Sequence, residues 1–402
     1  MDFFATAAKN TEPALRDELR ELRFDGVRCD RGGVHFRGGW EEGQRCCFLS
    51  RIAMTVLAPL AEFDAPTSDR LGEGAASVDW SRYLTPRQTF AVRAVCRSSR
   101  LTHSGYIALR VKDAIVDQLR SRFGARPAVN REDPDVSVFV RLAHDHAIVA
   151  LDLAGAPLHR RGYRLDGGPA PLQETLAAAL LRLSGWDRHA PLADPTCGSG
   201  TIPIEAALWA AGIAPGRQRE RFGFERWACH DESSRRWMAA SRAEADAVAR
   251  EAPPLEIIAG DVDSDALRRT EANARRAGVR LRLFAGSLET LPSFDRPGFI
   301  VANPPYNRRL AADAEFWERF ADLCRRRPCD TIAVLSAEPG FARALPRRAR
   351  LTHTLFNGDL ECRFRVFSPT AGDRGPRGPE SDADRRGIRA RACYRTAVPE
   401  TI

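Results

Sequence analysis

Lysine is almost absent from this 402-residue chain. Only Lys9 and Lys112 occur, so arginine carries nearly all of a formal net charge of +8. A positive balance favours a polyanionic partner, although heavy use of arginine and alanine also follows from GC-rich coding. None of the ten cysteines forms a C-x-x-C pair, which removes a zinc ribbon or a dithiol redox site. They read as reduced, mostly buried thiols of a cytosolic protein. No metal site is expected, because His35, His103 and the His144/His146 pair show no ligand spacing. No apolar run approaches bilayer length, and Met1-Asp2-Phe3-Phe4-Ala5-Thr6 lacks the charged-then-apolar pattern of a secretion signal. A cytoplasmic location is therefore expected. No internal repeat is visible.

The chain is long enough for two or three domains. Residues 1–50 read as a short α/β unit, with a strand at Phe3–Thr6, a helix at Glu12–Leu22 and strands at Val27–Cys29 and Val34–Phe36. The same style continues to 160. Thr89–Val95 alternates as a strand, Tyr106–Leu119 places Ile107, Val111, Ile115 and Leu119 on one helix face, and Ser137–Leu142 with Ala147–Leu153 reads as a strand pair. From 171 strands and longer helices alternate, as in a parallel sheet. Helix Leu172–Leu183 precedes strand Pro191–Asp194, and helix Ile202–Ala211 follows it. Strand Leu255–Ala259, helix Ala266–Ala277, and strands Phe299–Ala302 and Thr331–Leu335 come next. Residues 371–402 are rich in Arg, Gly, Asp and Pro without periodicity and read as a disordered tail.

Two short motifs carry chemistry. Asp194-Pro195-Thr196-Cys197-Gly198-Ser199-Gly200-Thr201 lies between a strand and a helix. Its glycines let backbone approach a ligand closely, and the helix start offers unpaired N–H groups. It has neither G-x-G-x-x-G spacing nor a P-loop lysine, so alone it is equally a structural turn. The next strand ends in Gly260-Asp261-Val262-Asp263, where Asp261 suits two ribose hydroxyls and Asp263 or Asp265 suits a helix N-cap. The second motif is Asn303-Pro304-Pro305-Tyr306, after a buried strand. The Asn side-chain carbonyl and a main-chain carbonyl freed by prolines offer two acceptors for a planar amino group, and the Tyr ring offers a stacking face. The plain alternative is a strand stopped by Pro-Pro. Gly-rich loop, acidic strand end and Asn-Pro-Pro-Tyr, in that order, match a class I S-adenosylmethionine-dependent methyltransferase.

From about Phe3 to Phe367 the chain resembles the bacterial 23S rRNA guanine-N2 methyltransferases that carry an N-terminal THUMP domain. The resemblance includes Gly32–Phe36, Val111–Asp117, Leu158–Arg164 and Glu174–Ala179. Some members are fused to a second methyltransferase, and this chain resembles the form with one. The implied fold is α/β, with a Rossmann-like, mainly parallel methyltransferase domain (166–370) after a ferredoxin-like unit (1–50) and a THUMP domain (51–165). Cofactor contacts are expected at Thr175, Asp194, Pro195, Cys197, Gly198, Gly200, Thr201, Asp261, Ser287 and Asn303, and catalysis at Asn303, Pro304, Pro305 and Tyr306. Two positions depart from the family. Ser287 stands where an acidic residue usually meets the adenine amino group, and Asn307 follows Tyr306 where Gly is usual.

The expected partner is RNA, 23S rRNA or a large-subunit assembly intermediate, bound by a monomer. The spacing from Asp194 to Asp261 is 67 residues, against the roughly 20 of a simple nucleotide-binding unit. The excess, about 213–253, interleaves Arg217, Arg219 and Arg221 with Phe222, Phe224 and Trp227. Such a stretch suits either unstacked RNA bases or an excursion whose aromatics pack inward while its arginines stay solvated. Lys112, Arg131 and Arg161 are candidates in the N-terminal half. A tRNA guanine-N2 enzyme, an adenine-N6 enzyme and a non-catalytic ribosome-assembly factor remain as alternatives.

Overall fold

The computed structural model describes residues 1–164, 172–251, 255–305, 314–338 and 341–370. Tyr306, Asn307, the tail at 371–402 and the expected boundary at 165/166 lie outside them.

The N-terminal half runs β1 (Asp2–Thr6), α1 (Glu12–Glu21), β2 (Asp25–Asp30), β3 (Gly33–Arg37), α2 (Trp40–Leu49), β4 (Thr55–Asp64), α3 (Ser68–Ala76), β5 (Thr89–Arg97), α4 (Ser104–Phe123), β6 (Ala128–Val129), β7 (Val136–Ala143) and β8 (His146–Asp152). These strands form one sheet in the order β2-β3-β1-β4-β8-β7-β5-β6. β4 joins its two parts, pairing with β1 through Val56 and Leu57 and with β8 along most of its length. The sequence pattern separates two α/β units here; the backbone ladder makes them continuous.

The C-terminal half runs α5 (Glu174–Leu183), β9 (Leu192–Asp194), α6 (Thr201–Ala210), α7 (Glu232–Glu251), β10 (Ile257–Asp261), α8 (Ser264–Ala277), β11 (Arg282–Ala285), β12 (Phe299–Ala302), α9 (Ala314–Arg326), β13 (Thr331–Ser336), α10 (Phe341–Ala344), β14 (Ala349–Asn357) and β15 (Leu360–Phe367). The sheet order is β11-β10-β9-β12-β13-β15-β14, parallel from β11 to β13 and closed by an antiparallel hairpin. β12 shows why a parallel strand reads as unbroken apolar sequence. Ile300 and Ala302 face a cluster with Trp317 and Phe320, while Val301 faces Leu176 and Leu180 on the other side.

The chain leaves β9 toward β10 and β11, then returns to the other side of β9 as β12. That reversal opens a crevice at the carboxyl ends of β9 and β12, where ligands bind in such sheets. Both short motifs end at this crevice. The observed α5, α6, α8 and β10 differ from expectation by a few residues at their ends. α7 and the β14–β15 hairpin were not anticipated. α7 packs away from the crevice, laying Met238 and Ala245 into the core of the N-terminal half.

Candidate active site

The glycine loop is held from two sides. Gly198 (φ +56°) and Gly200 (φ +84°) have left-handed backbone, which favours glycine. A Cβ on Gly200 would also meet the Thr270 side chain at 2.7 Å, whereas a Cβ on Gly198 would meet nothing within 4 Å among the described residues. The loop therefore presents open space at Gly198 and packs against α8 at Gly200. The Thr270 hydroxyl donates to Gly198 O at 2.9 Å, and the Asn273 amide donates to Ser199 O at 3.0 Å. Asp261 ties the loop to β10: its Oδ2 accepts Gly198 N–H at 2.9 Å and its Oδ1 accepts Asp263 N–H at 2.9 Å. Asp263 is the N-cap of α8, its Oδ1 accepting Asp265 N–H at 2.8 Å.

Asp194 is 2 % exposed at the tip of β9. One oxygen accepts the Thr196 N–H and hydroxyl at 3.0 and 3.3 Å. Burial, with the negative charge of Asp261 adding to it, pushes its carboxyl up to about 8 against the opposing Thr196 bonds. Pro195 packs on Gly260, and Cys197 is a buried thiol beside the Thr270 hydroxyl at 3.7 Å. Burial pushes that thiol well up, which makes it a packing group and not a nucleophile. Thr201 opens α6 and its hydroxyl accepts from Arg164 at 2.6 Å. Thr175, on α5, is 2 % exposed and its hydroxyl has no hydrogen-bond partner among the described residues.

Asn303 directly follows β12. Its side-chain Oδ1 is buried and, among the described residues, has no hydrogen-bond partner. Pro304 beside it is buried and Pro305 exposed; neither has an N–H to extend the ladder. An acceptor left bare at a strand end costs stability unless a ligand supplies the donor.

Known proteins share this fold. The RMKL-like methyltransferase domain family matches residues 161–365, the THUMP domain residues 65–152 and the RlmL ferredoxin-like domain residues 2–57. The chain belongs to this methyltransferase family. Relatives from Methylococcus capsulatus and Syntrophotalea carbinolica, each named ribosomal RNA large subunit methyltransferase K/L, are 42% and 40% identical over 379 and 382 residues. Each match takes in 91% of this chain and 51% or 53% of the relative, so the chain spans about half the length of the curated relatives it matches. A crystal structure of a methyltransferase complexed with SAH is 30% identical, with a TM-score of 0.81 over 92% of this chain and 99% of that one. A structure from Listeria monocytogenes, described as a predicted N6-adenine-specific DNA methylase, is also 30% identical, with a TM-score of 0.81 over 91% of this chain and 95% of its own.

S-adenosylmethionine is the cofactor of this methyltransferase, and the residues present fit it. The bare Thr175 hydroxyl on α5, the buried Asp194 carboxyl at the tip of β9 and the open space at Gly198 before α6 are the groups it would meet. Asp261 keeps lone pairs for ribose hydroxyls although both its oxygens already hold the loop. Ser287 lies past β11, where Gly286 N–H donates to Asp261 O at 3.2 Å. Its hydroxyl bonds to Glu289 and holds that carboxyl below its usual range, helped by Arg319 at 3.3 Å. A carboxylate is thus present near this position, two residues later than the family pattern. One residue of this crevice was not anticipated. Val262 is 78 % exposed immediately after Asp261, an apolar face suited to a flat ring. Its signal was an aliphatic residue between two aspartates at a strand tip.

The expected RNA contacts need correction at four positions. Phe222 and Trp227 are buried in the core of the N-terminal half, with Trp227 5.5 Å from Trp40 and Phe222 stacked on Phe224 at 5.3 Å. Arg219, 6 % exposed, donates to the carbonyls of Ala154, Ala156, Pro157 and Arg160 at 2.8 to 3.3 Å. Arg161 is buried too, donating to Leu158 O and Arg51 O and paired with the fully buried Glu205 at 3.5 Å. These side chains hold the two halves together, because a guanidinium's five donors match carbonyls as readily as phosphates. Gly155 and Gly223 meet backbone to backbone at the same junction, where a Cβ on Gly223 would lie 2.8 Å from Gly155 N. Arg217 and Arg221 are engaged with Asp246 and Asp133. Arg131 is exposed. Lys112, paired with Asp113 at 2.6 Å, lines a groove of about 620 Å³ with Arg110, Arg120 and Arg126. Among the described residues no helix is long and apolar enough to cross a membrane.

Proposed function

We propose that the protein transfers the methyl group of S-adenosylmethionine to the exocyclic N2 of a guanine in large-subunit ribosomal RNA. The observation that carries this reading is the buried, partnerless Oδ1 of Asn303 at the mouth of the cofactor crevice. When bound, the sulfonium cofactor supplies an already activated methyl group. The chain's own work is to aim a nucleophile. An exocyclic amine is weak because its lone pair is delocalised into the ring. Accepting one N–H at Asn303 Oδ1 and the other at the Pro304 carbonyl draws that nitrogen toward a tetrahedral form and fixes its approach. Tyr306 is proposed to stack on the base. The base must leave its helix to reach this point.

RNA as the class of substrate draws on the THUMP match at residues 65–152 and on the names of the relatives. The basic groove at Lys112 and the exposed Arg131 are proposed to hold RNA, in the cytoplasm and with the protein as a monomer. The deciding experiment is a mass-spectrometric map of methylated nucleosides in ribosomal and transfer RNA from cells with and without this protein. Loss of one N2-methylguanosine in large-subunit RNA is expected. Loss of a transfer-RNA guanine mark or an N6-methyladenine instead would refute the assignment.

A further inference from the structure

The amino-group grip at Asn303 does not separate guanine from adenine, since each base offers an amine. A third acceptor stands just past the neighbouring strand. β12 and β13 are parallel and in register, with Ala302 level with Val334, so Asn303 and the residues beyond Ser336 emerge from the same edge of the sheet. Glu338 is one of these, its N–H donating to Ser336 Oγ at 3.1 Å. Its Oε2 accepts the Trp317 indole N–H at 2.5 Å, which sets the plane of the carboxylate. Its Oε1 is buried and, among the described residues, has no hydrogen-bond partner. Trp317, Phe341 and Glu338 line a cavity of about 670 Å³ that also takes in Glu318, Asp322 and Arg325. Aromatic walls and carboxylates suit a flat group bearing N–H donors, and the guanidinium of Arg325 is already paired with Asp322.

Guanine presents three N–H donors on one edge, two at N2 and one at N1. Adenine sets a bare N1 lone pair beside its amine, which a carboxylate repels. We propose that Glu338 Oε1 accepts the N1–H of the target guanine and so selects guanine over adenine. With Asn303 Oδ1 and the Pro304 carbonyl, three acceptors then meet three donors. Glu338 takes no part in the methyl transfer itself. It is a specificity residue, and the proposal rests on the guanine reading above. Sites built to bond a substrate N–H discriminate strongly because the analogue leaves their buried acceptor bare.

The test uses RNA fragments spanning the mapped nucleotide, with either guanosine or 2-aminopurine ribonucleoside at that position. 2-Aminopurine keeps the N2 amine but has an acceptor at N1. Single-turnover methyl transfer by the full-length protein should favour guanosine by about 10- to 100-fold. In Glu338→Gln, whose amide can donate to N1 of 2-aminopurine, that preference should collapse or reverse while calorimetric cofactor affinity stays the same. Equal rates on both fragments with the unaltered protein, or an unchanged preference in Glu338→Gln, would overturn the role of Glu338. Methyl transfer to neither fragment would instead overturn the guanine reading beneath it.

Discussion

Cofactor binding should expel a proton, and Asp194 is its source. With its carboxyl pushed up to about 8 by burial, with Asp261 adding to the effect, the residue is about 90 % protonated at pH 7 in the free protein. The methionine end of S-adenosylmethionine carries an ammonium group. Set against Asp194 it favours the carboxylate, so the carboxyl proton leaves as the ligand arrives. Isothermal calorimetry in buffers of different ionisation enthalpy counts such protons directly. The unaltered protein should release about 0.9 proton more than Asp194→Asn at pH 7, and the difference should shrink to about 0.1 at pH 9. The same group sets a sign for stability. Its folded pKa lies above its ordinary value of 3.8, so the folded state keeps a proton that the unfolded state has lost. Stability contributed by protonated Asp194 is therefore lost as pH rises from about 4 through about 8, at most about 6 kcal/mol in total. Thermal unfolding of the free protein should accordingly fall more steeply over this range than that of Asp194→Asn. Identical proton counts for the two proteins at pH 7 would refute the reasoning.

Three further outcomes follow from the site and the junction. Asn303→Ala should reduce single-turnover methyl transfer by about 100-fold or more while calorimetric cofactor affinity changes little; near-normal turnover would remove the amino-group grip. Asp261→Ala should weaken cofactor binding and also lower the melting temperature, because Gly198 N–H and Asp263 N–H lose their acceptor. An unchanged melting temperature would show that the loop does not depend on it. Arg219→Ala should destabilise the protein by about 3 kcal/mol in denaturant unfolding, four carbonyls losing one donor group; a loss of RNA affinity at unchanged stability would restore Arg219 to the RNA surface.

The parts of the site that were legible in the sequence are those whose meaning is local. The glycine loop, Asp261 at the end of β10 and Asn303 after β12 each combine a strand, a breaker and one polar residue within eight positions. Arg219, Phe222 and Trp227 misled because their partners lie far away in sequence. Trp227 packs on Trp40 and Tyr83, and Arg219 reaches back to residues 154–160. Alternating arginine and phenylalanine describes a nucleic-acid surface and a cation–π-stitched interior equally well; here Arg219 lies 5.0 Å over Phe222. Glu338 was illegible for a related reason. Only the packing of Trp317 against it shows which of its oxygens is committed and which is not.

Gly155 and Gly223 leave no room for a side chain between the two halves, and this bears on how such proteins can be rearranged over time. Sequence similarity divides the chain into three portable-looking parts, and one of them begins at residue 161. Cut there, the catalytic part would carry Phe222, Phe224 and Trp227 with nothing to cover them, and Arg219 without its carbonyls. A new N-terminal partner would have to bring a matching glycine and an aromatic socket like that of Phe48, Trp40 and Tyr83. Lineages carrying this junction should therefore change residues 153–160 and 216–227 together, and exchange the catalytic part seldom.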